Sequence, residues 1–298
     1  MKIKTSASRK IFIACNFLFL TAAGTICLLP FINLLAISFS SPEAVNMGRV
    51  TFWPKEFTLS SYSFIIENTI FLRTFFNSVW RVVLGVAVNL TLVVLTAYPL
   101  SREKDQFRSR NIYAWFFVIT ILFNGGMIPT FMVVRYTGLM NTIWSLILPG
   151  ALPVFSMLVV MNFLRSLPRE LEEAAFIDGA NHIQTLFHII LPVLKPSLAT
   201  VALFGIVSHW NSWFDGMLYM QLPENQPLQT YLRTIIINPA VFFSSNTVSA
   251  NLAETLKQIN PRTVKSAQLL IATFPVLIAY PFLQKHFTTG LVMGSVKG

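Results

Sequence analysis

Long apolar runs, separated by short polar and basic stretches, set the pattern of this chain. The runs cover residues 11–37, 74–100, 111–134, 142–164, 197–221 and 266–284. Each is near the length of about 20 residues that a helix needs to cross the hydrocarbon core of a bilayer. The pattern predicts an all-α integral membrane protein with six transmembrane helices. Arg81 interrupts the second run, and Pro30, Pro99, Pro129, Pro149, Pro153 and Pro275 fall inside the runs or at their ends. Membrane helices accept such breaks where neighbours satisfy the freed carbonyls. A further short helix is expected at 247–259. No fixed-period repeat or low-complexity linker divides the sequence, so one transmembrane domain over 1–298 is expected.

Composition agrees with lipid as the solvent. Of 298 residues, 54% are hydrophobic and only 11% charged, against about a quarter charged in a soluble domain. The net charge of +10 does not mark a nucleic-acid partner, because the basic residues sit at the ends of apolar runs rather than in one patch. That distribution gives orientation. Segments 1–10, 101–110, 165–196 and 285–298 carry 13 Lys and Arg, against 8 on 38–73, 135–141 and 222–265. Both termini are therefore expected on the cytoplasmic side of the membrane. The first run is too long for a secretory signal and reads as a retained helix. Cys15 and Cys27 fit no disulfide framework or metal spacing. Phe52, Trp53, Phe57 and Tyr62 give 38–73 the character of an interfacial loop.

Segment 165–196 is too polar to span a membrane. Pro168 followed by Glu170, Glu172 and Glu173 predicts a helix start, with the acids at the positive end of the helix dipole. Leu171, Ala174, Ala175 and Ile177 give this helix one apolar face. Gly179 permits a sharp turn. A second helix from about Ala180 to Ile190 places Ile183, Leu186, Phe187 and Ile190 together, and Pro192 and Pro196 are expected to end it.

Glu173-Ala174-Ala175, Asp178-Gly179-Ala180 and then Ile189, Leu191 and Pro192 resemble the EAA loop of binding-protein-dependent ABC importer permeases. The resemblance implies the type I ABC importer permease fold, with the first helix wrapping a core shared with a partner. It assigns ATPase coupling to Glu172, Glu173, Ala174, Ala175, Asp178, Gly179, Ile189, Leu191 and Pro192, within a coupling loop at 166–196. It implies a homologous second permease, an ABC ATPase dimer, an extracytoplasmic solute-binding protein and an oligosaccharide as partners, all around the lipid bilayer. No cofactor is expected on this chain; ATP and Mg are used by the partner ATPase. The chain itself has no phosphate-binding glycine loop. Residues 210–215 resemble a stretch of sugar-type permeases, and residues 290–298, within a cytoplasmic tail expected at 285–298, resemble the tail of the second permease of maltose-type importers. Within that group the chain is most similar to permeases for polysaccharide-derived oligosaccharides, uronate-containing ones among them.

Arg81, Trp210, Asn211, Trp213 and Asp215 are the candidate substrate-pathway residues, since aromatic faces suit sugar rings and polar edges bind hydroxyls. For Arg81 a structural ion pair is an equal alternative, and for the aromatics an interfacial belt. Arg73 and Arg135 join Arg81 as candidate attractors of an anionic sugar. His182 and His188 lie on different helix faces and suggest no metal. Ser208, His209 and Asp215 lack the context of a hydrolytic triad. A secondary transporter would need more ionisable residues along its spans, and an intramembrane enzyme would need a reactive cluster that the runs do not contain.

Overall fold

The computed structural model describes residues 7–237 and 260–295. The expected helix at 247–259 lies outside them. Every regular element among the described residues is helical. The helices are α1 (Ala7–Ser38), α2 (Pro42–Asn46), α3 (Ser60–Glu67), α4 (Thr69–Ser101), α5 (Arg110–Leu122), α6 (Met127–Tyr136), α7 (Ile143–Ile147) and α8 (Val154–Ser166). They continue as α9 (Glu170–Ile177), α10 (His182–Asn211), α11 (Phe214–Tyr219), α12 (Leu228–Ile237) and α13 (Pro261–Ser295). The chain forms two compact units. One comprises Met1–Thr69 with Ile235–Thr273, the other Ile70–Thr234 with Phe274–Gly298.

Among the described residues, three helices, α1, α4 and α10, are long and apolar enough to cross a membrane singly. The third and fourth expected spans are not continuous helices. The third is α5 and α6, bent by 115°, and the fourth is α7 and α8, bent by 51°; counting each pair as one span gives five. In the third, Gly126 takes a left-handed φ of +87° and its N–H donates to Asn124 Oδ1 at 2.8 Å. This Asn-Gly-Gly turn offers the backbone an alternative to the helix. In the fourth, Pro149 and Pro153 remove two ladder donors on either side of the bend. The sixth expected span lies inside the single helix α13.

The fifth span also departs from expectation. Pro192 and Pro196 do not end the second short helix, because α10 runs unbroken from His182 through both prolines. A wide π turn over Leu186–Ile190 precedes Pro192. Its i→i+5 register makes room for the ring where an α-helical turn would clash. The helix ends at Asn211, and residues 214–219 form the separate α11.

In the first unit, Ser41 caps α2 by accepting from Ala44 N–H. Ser61 Oγ donates to Thr263 Oγ1 at 2.8 Å, and Asn260 Nδ2 to Asn46 Oδ1 at 2.5 Å. The large apolar side chains of α1 from Ile11 to Ile26 are exposed, as on a helix that meets lipid or a partner.

The second unit is organised on α4. Phe71, Thr74, Ser78, Arg81, Gly85, Asn89, Val93, Ala97 and Leu100 are all buried, three or four residues apart, along one stripe of this helix. From Val93 onward the stripe is apolar and packs with Met157, Val160 and Leu164 of α8 and Leu186, Ile190 and Leu194 of α10. Between Thr74 and Asn89 it is polar apart from Gly85, and that half meets the helix breaks.

Candidate functional site

Broken helices leave terminal carbonyls without partners, and the polar half of α4 supplies donors to them. Arg81 Nη1 donates to Ser212 O (3.3 Å), just past the end of α10, and Nη2 to Leu146 O (3.5 Å) on α7. Asn89 Nδ2 donates to Gly150 O (3.2 Å) and Ala151 O (2.8 Å) at the bend between α7 and α8. Ser78 Oγ accepts from Leu228 N–H at 2.8 Å. Asn89 Oδ1 lies 2.8 Å from His209 Nε2. The side chains that look out of place in an apolar span are the ones that let its neighbours be discontinuous.

Arg81 is 2% exposed and is forked onto Asp215 by both Nη atoms. Asp215 Oδ1 also accepts from Ser212 Oγ (2.8 Å) and Gly216 N–H (2.9 Å). The structure therefore brings together Arg81 and Asp215, two of the candidate pathway residues, as an ion pair. The pair borders a cavity of about 470 Å³, with Asn89, Ser145, Ser156, Ser208, Ser212 and His209 giving polar edges and Phe155 and Phe204 apolar walls.

The other candidate pathway residues lie elsewhere. Trp210 is buried edge-on to Phe75 at 5.8 Å. Trp213 lies under the guanidinium of Arg233, 3.5 Å from its ring centroid, and its carbonyl accepts from Thr230. Asn211 is exposed. Of the arginines expected to attract an anion, Arg73 stands 3.6 Å from Glu224 and Arg81 is taken by Asp215. Asn89 and Ser78 were not singled out by sequence. Their signal was the spacing of Thr74, Ser78, Arg81, Gly85 and Asn89 at three and four residues.

At the other end of α4 stands the helical hairpin of α9 and the start of α10. Pro168 precedes α9, whose N-cap is Arg169. Gly179 has φ +81°, its N–H donates to Phe176 O (3.1 Å), and Ala180 N–H donates to Ala175 O (2.9 Å). This is the Schellman stop that favours glycine. Asn181 and Gln184 then form a reciprocal capping box that starts α10, in the manner of sequence-local helix starts. Phe176 packs edge-on to His182 at 4.9 Å.

The apolar faces expected from sequence are divided. Ala175, Leu186 and Ile190 are buried, and Leu191 packs on the core. Ile177 (86%), Ile183 (68%) and Phe187 (53%) are exposed, as are Leu171, Glu173, Ala174, Asp178 and Pro192. Ile189 is half-buried. Glu172 is paired with Arg102, the first residue after α4. Burial pushes the Arg102 guanidinium below its usual range, offset in part by the Tyr98 hydroxyl.

A multi-pass helical protein with a polar-edged cavity between its spans and a capped hairpin exposing apolar side chains has the layout of a membrane transport subunit. The chain belongs to the family of binding-protein-dependent transport system inner membrane components, whose model matches residues 69–291. It is 40% identical over 296 residues to the protein LplC of Bacillus subtilis (strain 168), covering 99% of this chain and 97% of that one. It is 39% identical over 282 residues to the polygalacturonan/rhamnogalacturonan transport system permease protein YtcP of the same organism, covering 94% and 96%. Among solved structures it is similar to a bacterial ABC transporter involved in the import of the acidic polysaccharide alginate. There the TM-score is 0.87 and the identity 32%, over 96% of this chain and 100% of that one. The family makes the chain a transport subunit, not an enzyme.

Proposed function

We propose that this chain is one permease of an ABC importer for oligosaccharides released from acidic polysaccharides. It works as a single permease domain beside a homologous second permease. An extracytoplasmic binding protein delivers the sugar, and two ATPase subunits using ATP and Mg drive the cycle. Both termini and the α9–α10 hairpin face the cytoplasm, consistent with the excess of Lys and Arg on those segments. The observation that carries the reading is the hairpin itself. It is fixed by a glycine stop and a capping box, continuous with a transmembrane helix, and exposes Ile177, Ile183 and Phe187 beside Glu173. Such a surface fits an apolar cleft on an ATPase. In this reading Glu173, Ala174, Asp178 and Gly179 form the dock, while Glu172, Ala175, Ile189, Leu191 and Pro192 root it.

The cavity beside Arg81 and Asp215 suits neutral hydroxyls and sugar faces. The acidic refinement is supported by the named substrates of the similar importers rather than by Arg81, which Asp215 occupies. The test is ATP hydrolysis by the reconstituted complex with its binding protein. Oligogalacturonides are expected to stimulate it. Stimulation by amino acids or peptides and by no oligosaccharide would overturn the class.

Gly179→Val tests the dock. A Cβ there meets nothing within 4 Å, so the cost lies in the left-handed backbone alone, about 1–2 kcal/mol. The variant is expected to insert normally and to recover less ATPase on purification. Gly179→Asn is expected to fall between the two, because asparagine visits this region more readily. Wild-type ATPase recovery and uptake in the valine variant would remove the assignment.

A further inference from the structure

We propose that Tyr98 and Arg102, at the end of α4, are positioning residues that clamp both helices of the hairpin and make α4 the lever between the dock and the cavity. This rests on reading the hairpin as the ATPase dock.

Arg102 makes two contacts with different parts of one assembly. Its guanidinium is paired with Glu172 in the first turn of α9, and the two side chains are 13% and 19% exposed. The same guanidinium lies over the Tyr98 ring, 4.1 Å from the centroid. The Tyr98 hydroxyl in turn donates to His182 O at 3.4 Å, in the first turn of α10. One residue pair thus touches the first turns of both α9 and α10. The backbone that carries it is held as well. Arg165 Nη2 donates to Leu100 O (3.1 Å), and Arg110 Nη1 to Arg102 O (2.9 Å). A second ion pair, Arg169 with Glu103, is well exposed on both sides. Exposed pairs contribute little, whereas a desolvated pair is costly to break because one charge is left behind. The clamp is therefore the Arg102–Glu172 pair with its aromatic support.

Chain continuity already ties the hairpin to α8 and α10. The clamp adds α4, which is not adjacent to it in sequence. Arg81 lies 21 residues before Arg102, about 30 Å away along a helix. A displacement of the dock is carried along α4 to the Arg81–Asp215 pair at the cavity without passing through the hairpin's own spans.

The test uses the full importer complex in nanodiscs, with Cys15 and Cys27 replaced by serine and Ser208→Cys as a thiol reporter in the cavity. Trapping with ATP and vanadate is expected to change the Ser208→Cys labelling rate by about tenfold, the scale of ordinary site-to-site coupling. Arg102→Glu is expected to abolish that change while ATPase recovery and ATP hydrolysis persist. Arg102→Lys and the exchange Arg102→Glu/Glu172→Arg are expected to restore most of it. A full nucleotide-dependent change in Arg102→Glu, or none with Arg102 present, overturns the proposal. Where Arg102→Glu does not accumulate, Arg102→Gln is read the same way, and a wild-type response overturns it equally. If Gly179→Val retains ATPase, the docking reading itself is at fault. If Gly179→Val loses ATPase while Arg102→Glu responds as wild type, only the clamp falls.

Discussion

Replacing Asp215 with alanine is expected to be among the most damaging single changes in the membrane domain, costing about 3–5 kcal/mol. The reason is an asymmetry within the pair. Arg81 is 2% exposed and Asp215 25%. Without the carboxylate, Arg81 keeps only the carbonyls of Ser212 and Leu146 as acceptors, and a buried cation is left without a counter-charge. The reverse change, Arg81→Met, leaves Asp215 still accepting from Ser212 Oγ and Gly216 N–H. It is expected to cost less. The double variant Arg81→Met/Asp215→Ala is expected to be more stable than Asp215→Ala alone, because no charge is stranded. Apparent melting temperatures of the four proteins in one detergent form a double-mutant cycle. Equal damage from the two single changes, or additivity in the double, would show that the pair does not hold this end of α4.

How far this was legible in the sequence depends on the distance over which each contact acts. The hairpin was legible at its turn, where Gly179 was expected, but not at its end, since α10 runs on through Pro192 and Pro196. Its stop at Gly179 and its start at Asn181 are local hydrogen-bond devices, written in residues a few positions apart. The spans were legible in approximate position, since apolar length is a strong signal. Their breaks were less so. The Asn124–Gly126 turn and the Pro149–Pro153 bend are local, but a broken span survives in lipid only if donors elsewhere reach its carbonyls. Those donors, Arg81 and Asn89, stand on α4, 131 and 61 residues from the Ser212 and Gly150 carbonyls they satisfy. The ambiguity over Arg81 had the same origin, because its partner is 134 residues away. Trp210 and Trp213 misled for a complementary reason. Aromatic residues near a sugar pathway and aromatic residues that pack on Phe75 and Arg233 have the same local sequence.

The other large effect is expected at Gly85, where α4 packs directly against His209 of α10. A Cβ at this position would stand 2.5 Å from His209 Nε2 and 2.7 Å from Cε1. The imidazole has little freedom to yield, since it is buried and held 2.8 Å from Asn89 Oδ1. Gly85→Leu therefore forces the helices apart and breaks the His209–Asn89 bond together. Overpacking and a lost buried hydrogen bond sum to about 2–5 kcal/mol. Asn89 also holds the α7–α8 bend through Gly150 and Ala151, so the disturbance reaches the cavity wall, and uptake is expected to fall with stability. Gly85→Ala is the smaller form of the same clash, and His209→Ala in that background is expected to recover much of the melting temperature. Gly24→Ala on α1 is the control. Nothing lies within 4 Å of its added Cβ, and alanine in a helix is favoured over glycine by about 0.5–1 kcal/mol. Melting temperatures and initial uptake rates decide the matter: a Gly85→Leu protein as stable and active as Gly24→Ala would mean that α4 and α10 do not pack through this glycine.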